Sequence, residues 1–175
     1  MQPARHLLQT EHLFIRQLTL ADTPFIIELL NSEGWIKYIG DRNVKTAEQA
    51  RQYLINGPVK SYADNGFGLY LAALKSSGTP VGMCGLIKRD YLPHIDIGYA
   101  LLPQYMGKGY AYETATAVLG YAFGVLKQEK ILAITLPENT ASVKLLQKLG
   151  MQYGETFADE KSNEKLARYG ISKKL

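Results

Sequence analysis

The 175-residue chain is 46% hydrophobic and 21% charged, the balance and length of one globular domain, which excludes disordered, collagen-like and disulfide-scaffold classes. Twenty Lys+Arg against sixteen Asp+Glu leave a formal charge of +4; that suits an anionic small ligand and is thin for a protein that coats nucleic acid, so no direct nucleic-acid partner is expected. Cys84 is the only cysteine, residues 1–6 lack the apolar run of a secretory signal, and no stretch reaches the about 20 apolar residues of a membrane span. The expectation is a single cytoplasmic domain over residues 1–175.

Residues 13–18 read as a first strand. Asp22 or Thr23 offers a helix cap and Pro24 suits a first turn; Phe25, Ile26, Leu29 and Leu30 follow at helical spacing. Residues 31–34 end that helix and lead residues 35–39 into a loop or short turn. Thr46 and Gln49 fit a capping box, with Ala50, Tyr53 and Leu54 on one face behind it. The period then changes. Residues 67–74 and 81–87 flank a KSSGTP connector, a β-hairpin composition, and residues 94–102 form a third run after Leu92-Pro93. Residues 110–126 read as a long Ala-rich helix, 131–136 as a short strand, and 140–149 as a helix closed by Gly150. Residues 151–157 and 167–172 supply two final strands. The order β-α-α-β-β-β-α-β-α-β-β predicts an α+β domain with a mixed sheet of about seven strands, not a doubly wound nucleotide fold.

The passage Leu102-Pro-Gln-Tyr-Met-Gly-Lys-Gly-Tyr-Ala111 carries the most chemistry. Gly107 and Gly109 can turn the backbone so that successive N–H groups face outward at a helix N-terminus. Those donors and the positive end of the helix dipole make an anion site suited to a pyrophosphate, and Lys108 adds charge. Two other phosphate motifs fail: the dinucleotide fingerprint needs a glycine where Tyr112 stands, and the nucleoside-triphosphate loop needs Ser or Thr where Gly109 stands. Farther on, Asn139 sits at a helix cap and Ser142 one turn inside it, on the same side.

With these two passages in hand, the chain resembles the GNAT superfamily of N-acetyltransferases. Gln104-Tyr-Met-Gly107-Lys-Gly109-Tyr-Ala, on the exit of a strand holding Asp96-Ile-Gly-Tyr, looks like its Arg/Gln-x-x-Gly-x-Gly/Ala motif. Asn139-Thr-Ala-Ser142 through Gly150 resembles its next helix. Leu13-Phe-Ile-Arg16-Gln-Leu18-Thr-Leu-Ala-Asp22 echoes the opening of the branch that holds the ribosomal-protein N-terminal acetyltransferases. The resemblance covers roughly residues 11–172. It implies a mostly antiparallel sheet with helices on both faces and a V-shaped split between the fourth and fifth strands that takes acetyl-CoA. The pantetheine would lie along Ala100, Leu101 and Leu102, with Gln104 opening the motif. The pyrophosphate would rest on the amides of Met106, Gly107, Lys108, Gly109, Tyr110 and Ala111, with Asn139 and Ser142 completing the cofactor site.

The resemblance further implies direct attack of a primary amine on the thioester, with a base for the amine and a hydrogen-bond donor for the thiolate. Asp96 matches the family's acidic position, with Asp where Glu is more frequent, so a water relay suits its shorter arm. Many relatives carry a tyrosine acid where Leu146 stands here; Ser142 is the substitute. Trp35, Tyr38 and Tyr70 are the expected walls of the acceptor pocket, built from loops around residues 31–45 and 155–166. Lys144 and Lys148 are candidates for the 3′-phosphate of CoA. Acceptors left open are a protein N-terminus, a small metabolite or peptide amine, and an aminoglycoside. The absent tyrosine keeps a non-catalytic acyl-CoA sensor as the alternative, and relatives often form homodimers. Cys84 reads as a buried structural thiol. His6, His12 and His94 have no metal-ligand spacing, so no metal is expected, although His94 shares a strand face with Asp96.

Overall fold

The computed structural model describes residues 6–159 and 163–173. Strands β1 (His6–Gln9), β2 (Leu13–Gln17), β3 (Leu69–Leu74), β4 (Pro80–Ile87), β5 (Asp96–Leu101), β6 (Lys130–Thr135), β7 (Gln152–Ala158) and β8 (Lys165–Ser172) join in one sheet, ordered β1-β2-β3-β4-β5-β6-β8-β7. Every neighbouring pair is antiparallel except β5 and β6. The α+β mixed sheet is as the sequence predicts, with one strand more. That strand, β1, has four residues, too few to show alternation, and it shifts the expected split to β5 and β6.

Alternation along the strands sorts the core into two layers. Leu71, Ala73 and Met83 face α1 (Thr23–Leu30), α2 (Glu33–Tyr38) and α3 (Ala47–Leu54), packing with Phe25, Ile26, Leu29, Leu30, Trp35 and Leu54. Cys84, Leu86, Ile97, Ile131 and Ala133 face α5 (Tyr110–Gly124) and α6 (Thr140–Lys148), packing with Ala115, Val118, Ala122 and Leu146.

Short-range chemistry sets the helix ends. The Asp22 side chain does not cap α1. Its carboxylate instead accepts from Arg16 Nη2 and Nη1 at 2.7 and 2.8 Å and from the Thr19 N–H at 2.7 Å, closing the turn before the helix. Residues 33–38 are helical rather than a loop, since Trp35 anchors that turn in the core. The Thr46 hydroxyl accepts the Gln49 N–H at 3.3 Å while Gln49 Oε1 accepts the Thr46 N–H at 3.0 Å, the reciprocal pair expected of a capping box. α3 runs on through a wide turn at Ile55–Val59 into α4 (Lys60–Asn65). Pro58 has no N–H to give the preceding turn, and the widened turn absorbs that loss.

Two ties fix the region where the site forms. Glu113, in the first turn of α5, accepts the His12 backbone N–H at 2.8 Å and lies 2.9 Å from His12 Nδ1, pinning the start of α5 to the β1–β2 turn. The second is the parallel junction itself. β5 and β6 share a single Cα pairing, Asp96 with Leu132, and the Leu132 N–H donates to the Ile95 carbonyl at 3.0 Å. Beyond it the strands diverge, leaving the β6-facing edge of residues 97–101 without a strand partner.

Candidate active site

The diverging strands lie between two helix N-termini. At the first, the chain leaves β5 through a short turn at Pro103–Tyr105 and reaches Gly107 at φ 74° and Gly109 at φ 85°. Both lie in the left-handed region, which glycine enters without the strain any other L-residue meets. A Cβ at either position would meet nothing within 4 Å, so the approach to this turn is open. The first helical bond of α5 runs from the Glu113 N–H to the Gly109 carbonyl at 3.0 Å. The amides of Tyr110, Ala111 and Tyr112 therefore precede the helical ladder and face the turn, an arrangement able to hold a pyrophosphate. Lys108 extends over the Tyr105 ring at 5.4 Å. Met106, half exposed, reaches toward Gly34 of α2.

Around this turn the predicted residues divide by what their side chains do. Ala100, Leu101 and Leu102 follow the β5 edge, and the side chains of Leu101 and Leu102 are buried; the Leu102 carbonyl already accepts the Tyr105 N–H at 3.0 Å, so the Leu101 backbone is what a ligand could reach. The Leu102 N–H is already given to Val81. The Gln104 side chain donates to Glu28 of α1 at 3.1 Å, bracing the turn. Lys148 lies over the Tyr112 ring at 4.3 Å, beside the phosphate turn, while Lys144 is exposed.

At the second N-terminus, Asn139 Oδ1 accepts the Ser142 N–H at 3.1 Å, capping α6 and leaving its Nδ2 group for another acceptor. The Ser142 hydroxyl lies 2.8 Å from the hydroxyl of Tyr99, which rises from β5. Burial pushes the Tyr99 phenol up to about 12, against the pull of the Ser142 bond. Sequence reasoning passed over Tyr99 because it sought a tyrosine on α6. The position in question, Leu146, is 1% exposed and belongs to the core.

Asp96 stands at the closed end of the split and is 1% exposed. Its two carboxylate oxygens lie 3.0 and 3.2 Å from Nε of Arg89, a partner the sequence did not suggest. Burial pushes its carboxyl above the ordinary range, and the Arg89 charge and hydrogen bond do not outweigh it. His94 is exposed whereas Asp96 is buried, and the hydrogen-bonding side chain at Asp96 is Arg89.

The expected aromatic walls are largely interior. Trp35 is 6% exposed within the α1–α3 core, and its Nε1 is the one buried side-chain polar atom without a partner among the described residues. Tyr70 is 1% exposed, stacked on Tyr62 at 5.7 Å and edge-on to Tyr121 at 6.4 Å. Both rings serve packing, not an open wall. Tyr38 alone of the three is half-buried, beneath Lys37 at 5.0 Å. A cavity of about 650 Å³ lies elsewhere, against β6, β7, β8 and the C-terminal end of α6 at Leu149–Gly150, and Asp96, Tyr99, Asn139 and Ser142 are not among its lining residues. Of the second loop named from sequence, residues 160–162 lie outside the described residues. Cys84 is buried, and desolvation pushes its thiol far up. Among the described residues no group of three or more His, Cys, Asp and Glu could hold a metal ion, and no helix is long and apolar enough to cross a membrane.

Comparison with known proteins bears on the family and the fold. A family model described as an acetyltransferase (GNAT) domain matches residues 12–152. YnaD, an uncharacterised N-acetyltransferase of Bacillus subtilis (strain 168), is 30% identical over 145 residues, which cover 83% of this chain and 82% of YnaD. The crystal structure of a GNAT-family acetyltransferase from Bacillus anthracis superposes with TM-score 0.79 at 28% identity, covering 94% of this chain and 97% of that one. RimL, a ribosomal L7/L12 alpha-N-protein acetyltransferase solved in complex with coenzyme A, shares the fold at TM-score 0.83 and 13% identity, covering 96% and 98%. With a family model spanning most of its length, this chain belongs to the GNAT family of acetyltransferases.

Proposed function

We propose that this protein transfers an acetyl group from acetyl-CoA to a primary amine in the split between β5 and β6. The observation that carries the reading is the single Asp96–Leu132 pairing. It leaves a strand edge open between an unpartnered amide turn at the start of α5 and the polar N-terminus of α6. Acetyl-CoA supplies the activated acyl thioester. The turn from Met106 to Ala111 holds its phosphates, and the free β5 edge at Leu101 pairs with its amide-bearing arm. Asn139, with Nδ2 available, takes a carbonyl of that arm.

The amine must lose a proton to attack. Asp96 receives that proton through water, its raised proton affinity fitting the task. Ser142 donates a hydrogen bond to the sulfur as negative charge develops there. The second reading, an acyl-CoA sensor without turnover, draws on the buried leucine at position 146.

Thermal unfolding with acetyl-CoA tests the binding half. At a hundred times Kd, linkage gives about 2.7 kcal/mol of stabilisation. Gly107→Val and Gly109→Val are expected to abolish it, because β-branched residues disfavour positive φ and block close approach to the amides. An unchanged ligand-induced rise in Tm in both variants overturns the site. CoA release across N-terminal peptides, polyamines and aminoglycosides tests the transfer half. Binding without release from any amine would select the sensor.

A further inference from the structure

We propose that Tyr99 is a positioning residue for the leaving thiolate, aiming the Ser142 hydroxyl proton at the CoA sulfur; this rests on the acetyl-transfer reading above. The Tyr99 hydroxyl lies 2.8 Å from Ser142 Oγ and 3.4 Å from the Ser142 carbonyl oxygen. One proton on each hydroxyl allows two arrangements. In the first, Ser142 donates to the phenol oxygen and the phenol turns to the carbonyl, a long contact for an O–H donor. In the second, the phenol donates to Ser142 Oγ at the favoured distance, and the serine proton is released to point elsewhere. With the split empty, the first arrangement leaves no proton without an acceptor. An electron-rich sulfur in the split supplies the missing acceptor and selects the second.

The framework holds the phenol in place for this. Tyr99 stands on β5 opposite Cys84 of β4, its ring packed against the core beneath α5 and α6. Ser142 is fixed by the Asn139 cap. The two hydroxyls therefore meet across the sheet–helix boundary, at the α6 side of the diverging strands, without either residue needing to move. Tyr99 is not itself the acid. Its phenol is held near 12 by burial, whereas a free thiol titrates near about 8.5. The proton stays on the phenol oxygen, and the C–S electron pair departs to sulfur with the Ser142 hydrogen bond stabilising it. The amine gives up one proton to Asp96 through water before it attacks and a second as the amide forms; that second proton passes through solvent to the departing thiolate, so amide, CoA thiol and protonated Asp96 account for every proton. This arrangement also gives a physical place to the missing α6 tyrosine. Leu146 has moved into the core, and a hydroxyl from the strand beside it serves the same end of the site.

The test uses CoA with the protein in excess and follows alkylation of the CoA thiol by iodoacetamide against pH, the product being detected by mass. Buried Cys84 does not compete. Losing a hydrogen bond to a thiolate is expected to raise the alkylation midpoint by about one pH unit in Tyr99→Phe and at least as much in Ser142→Ala. The double variant should match Ser142→Ala alone, since Tyr99 acts only through the serine. In turnover, Tyr99→Phe should lower kcat by about tenfold and leave KM for acetyl-CoA unchanged. Tyr99→Met replaces it if the phenylalanine variant does not fold. A wild-type midpoint in the Tyr99 variant, with Ser142→Ala still shifted, overturns the positioning role and spares the acetyl-transfer reading. An unmoved midpoint in Ser142→Ala removes the serine from the sulfur and overturns the positioning role with it, while CoA release remains the test of acetyl transfer. A wild-type protein that binds no CoA overturns the split as a cofactor site.

Discussion

Two buried aspartates, Asp22 and Asp96, each face one arginine, and the way each is satisfied separates scaffold from chemistry. Asp22 accepts from two Arg16 nitrogens, the Thr19 amide and the Thr19 hydroxyl. Burial pushes its carboxyl up, but these donors outweigh burial and hold it below the ordinary range. Asp96 is more deeply buried and shares one nitrogen, Arg89 Nε, between both oxygens. There burial wins and the carboxyl rises. A carboxylate wrapped by four donors has little remaining affinity for a proton. One held by a single guanidinium nitrogen and its own backbone N–H keeps that affinity, and Asp96 keeps it at the closed end of the split.

The sharpest way to break this contrast is Asp96→Asn. The amide can still accept from Arg89 but cannot take a proton near neutral pH. Loss of a general base is expected to lower kcat by about 10²–10⁴-fold, with the acetyl-CoA-induced rise in Tm retained. Steady-state CoA release alongside a melting curve reads both. Wild-type kcat would make Asp96–Arg89 a second structural lock, no different in kind from Asp22–Arg16.

Asp22→Ala is the mirror experiment. Removing one partner of a buried pair leaves Arg16, whose side chain is only 19% exposed, without its counter-charge. The expected cost is about 3 kcal/mol, a fall in Tm of about 6–12 °C for a domain this size by calorimetry. Well below that Tm, kcat should be unchanged. A loss of kcat with unaltered Tm would exchange the roles of the two aspartates.

The sequence revealed most where a residue type is demanded by backbone geometry or by its immediate neighbours. Gly107 and Gly109 were legible because a turn onto a helix end needs positive φ, and both have it. The Thr46–Gln49 box, Pro24 in the first turn of α1 and the Asn139 cap are likewise local, and each stands where the spacing put it. Arg16 was legible only as part of a familiar opening pattern and Asp22 was read as a cap; the structure shows why they come together, as a clamp between β2 and α1. What stayed hidden depends on long-range packing. Tyr99 meets Ser142 from 43 residues away, and the Arg89–Asp96 pair needs the β4–β5 turn folded back on its strand. Trp35 and Tyr70 were expected at a pocket because aromatic residues serve walls and cores equally, and only the packed fold assigns them to the core.

The smallest expected effect is a difference of sign in how stability follows pH. Asp22 has a folded-state value below its unfolded one. Its contribution is present above the unfolded value of about 3.9 and is lost as pH falls through the folded value. Asp96 has a folded-state value above its unfolded one. Its contribution is complete below about 3.9 and is lost as pH rises through the folded value, because in that window the native state binds the proton more tightly than the unfolded chain. Urea unfolding of wild type, Asp22→Ala and Asp96→Asn across the acid range isolates each group by subtraction. The wild-type advantage over Asp22→Ala should grow with pH below about 3.9, and that over Asp96→Asn should shrink with pH above it, neither by more than about 1.4 kcal/mol per pH unit. Slopes of one sign for both would mean that Arg89 satisfies Asp96 as fully as Arg16 satisfies Asp22. The carboxylate at the split would then be held too tightly to accept the proton of an attacking amine.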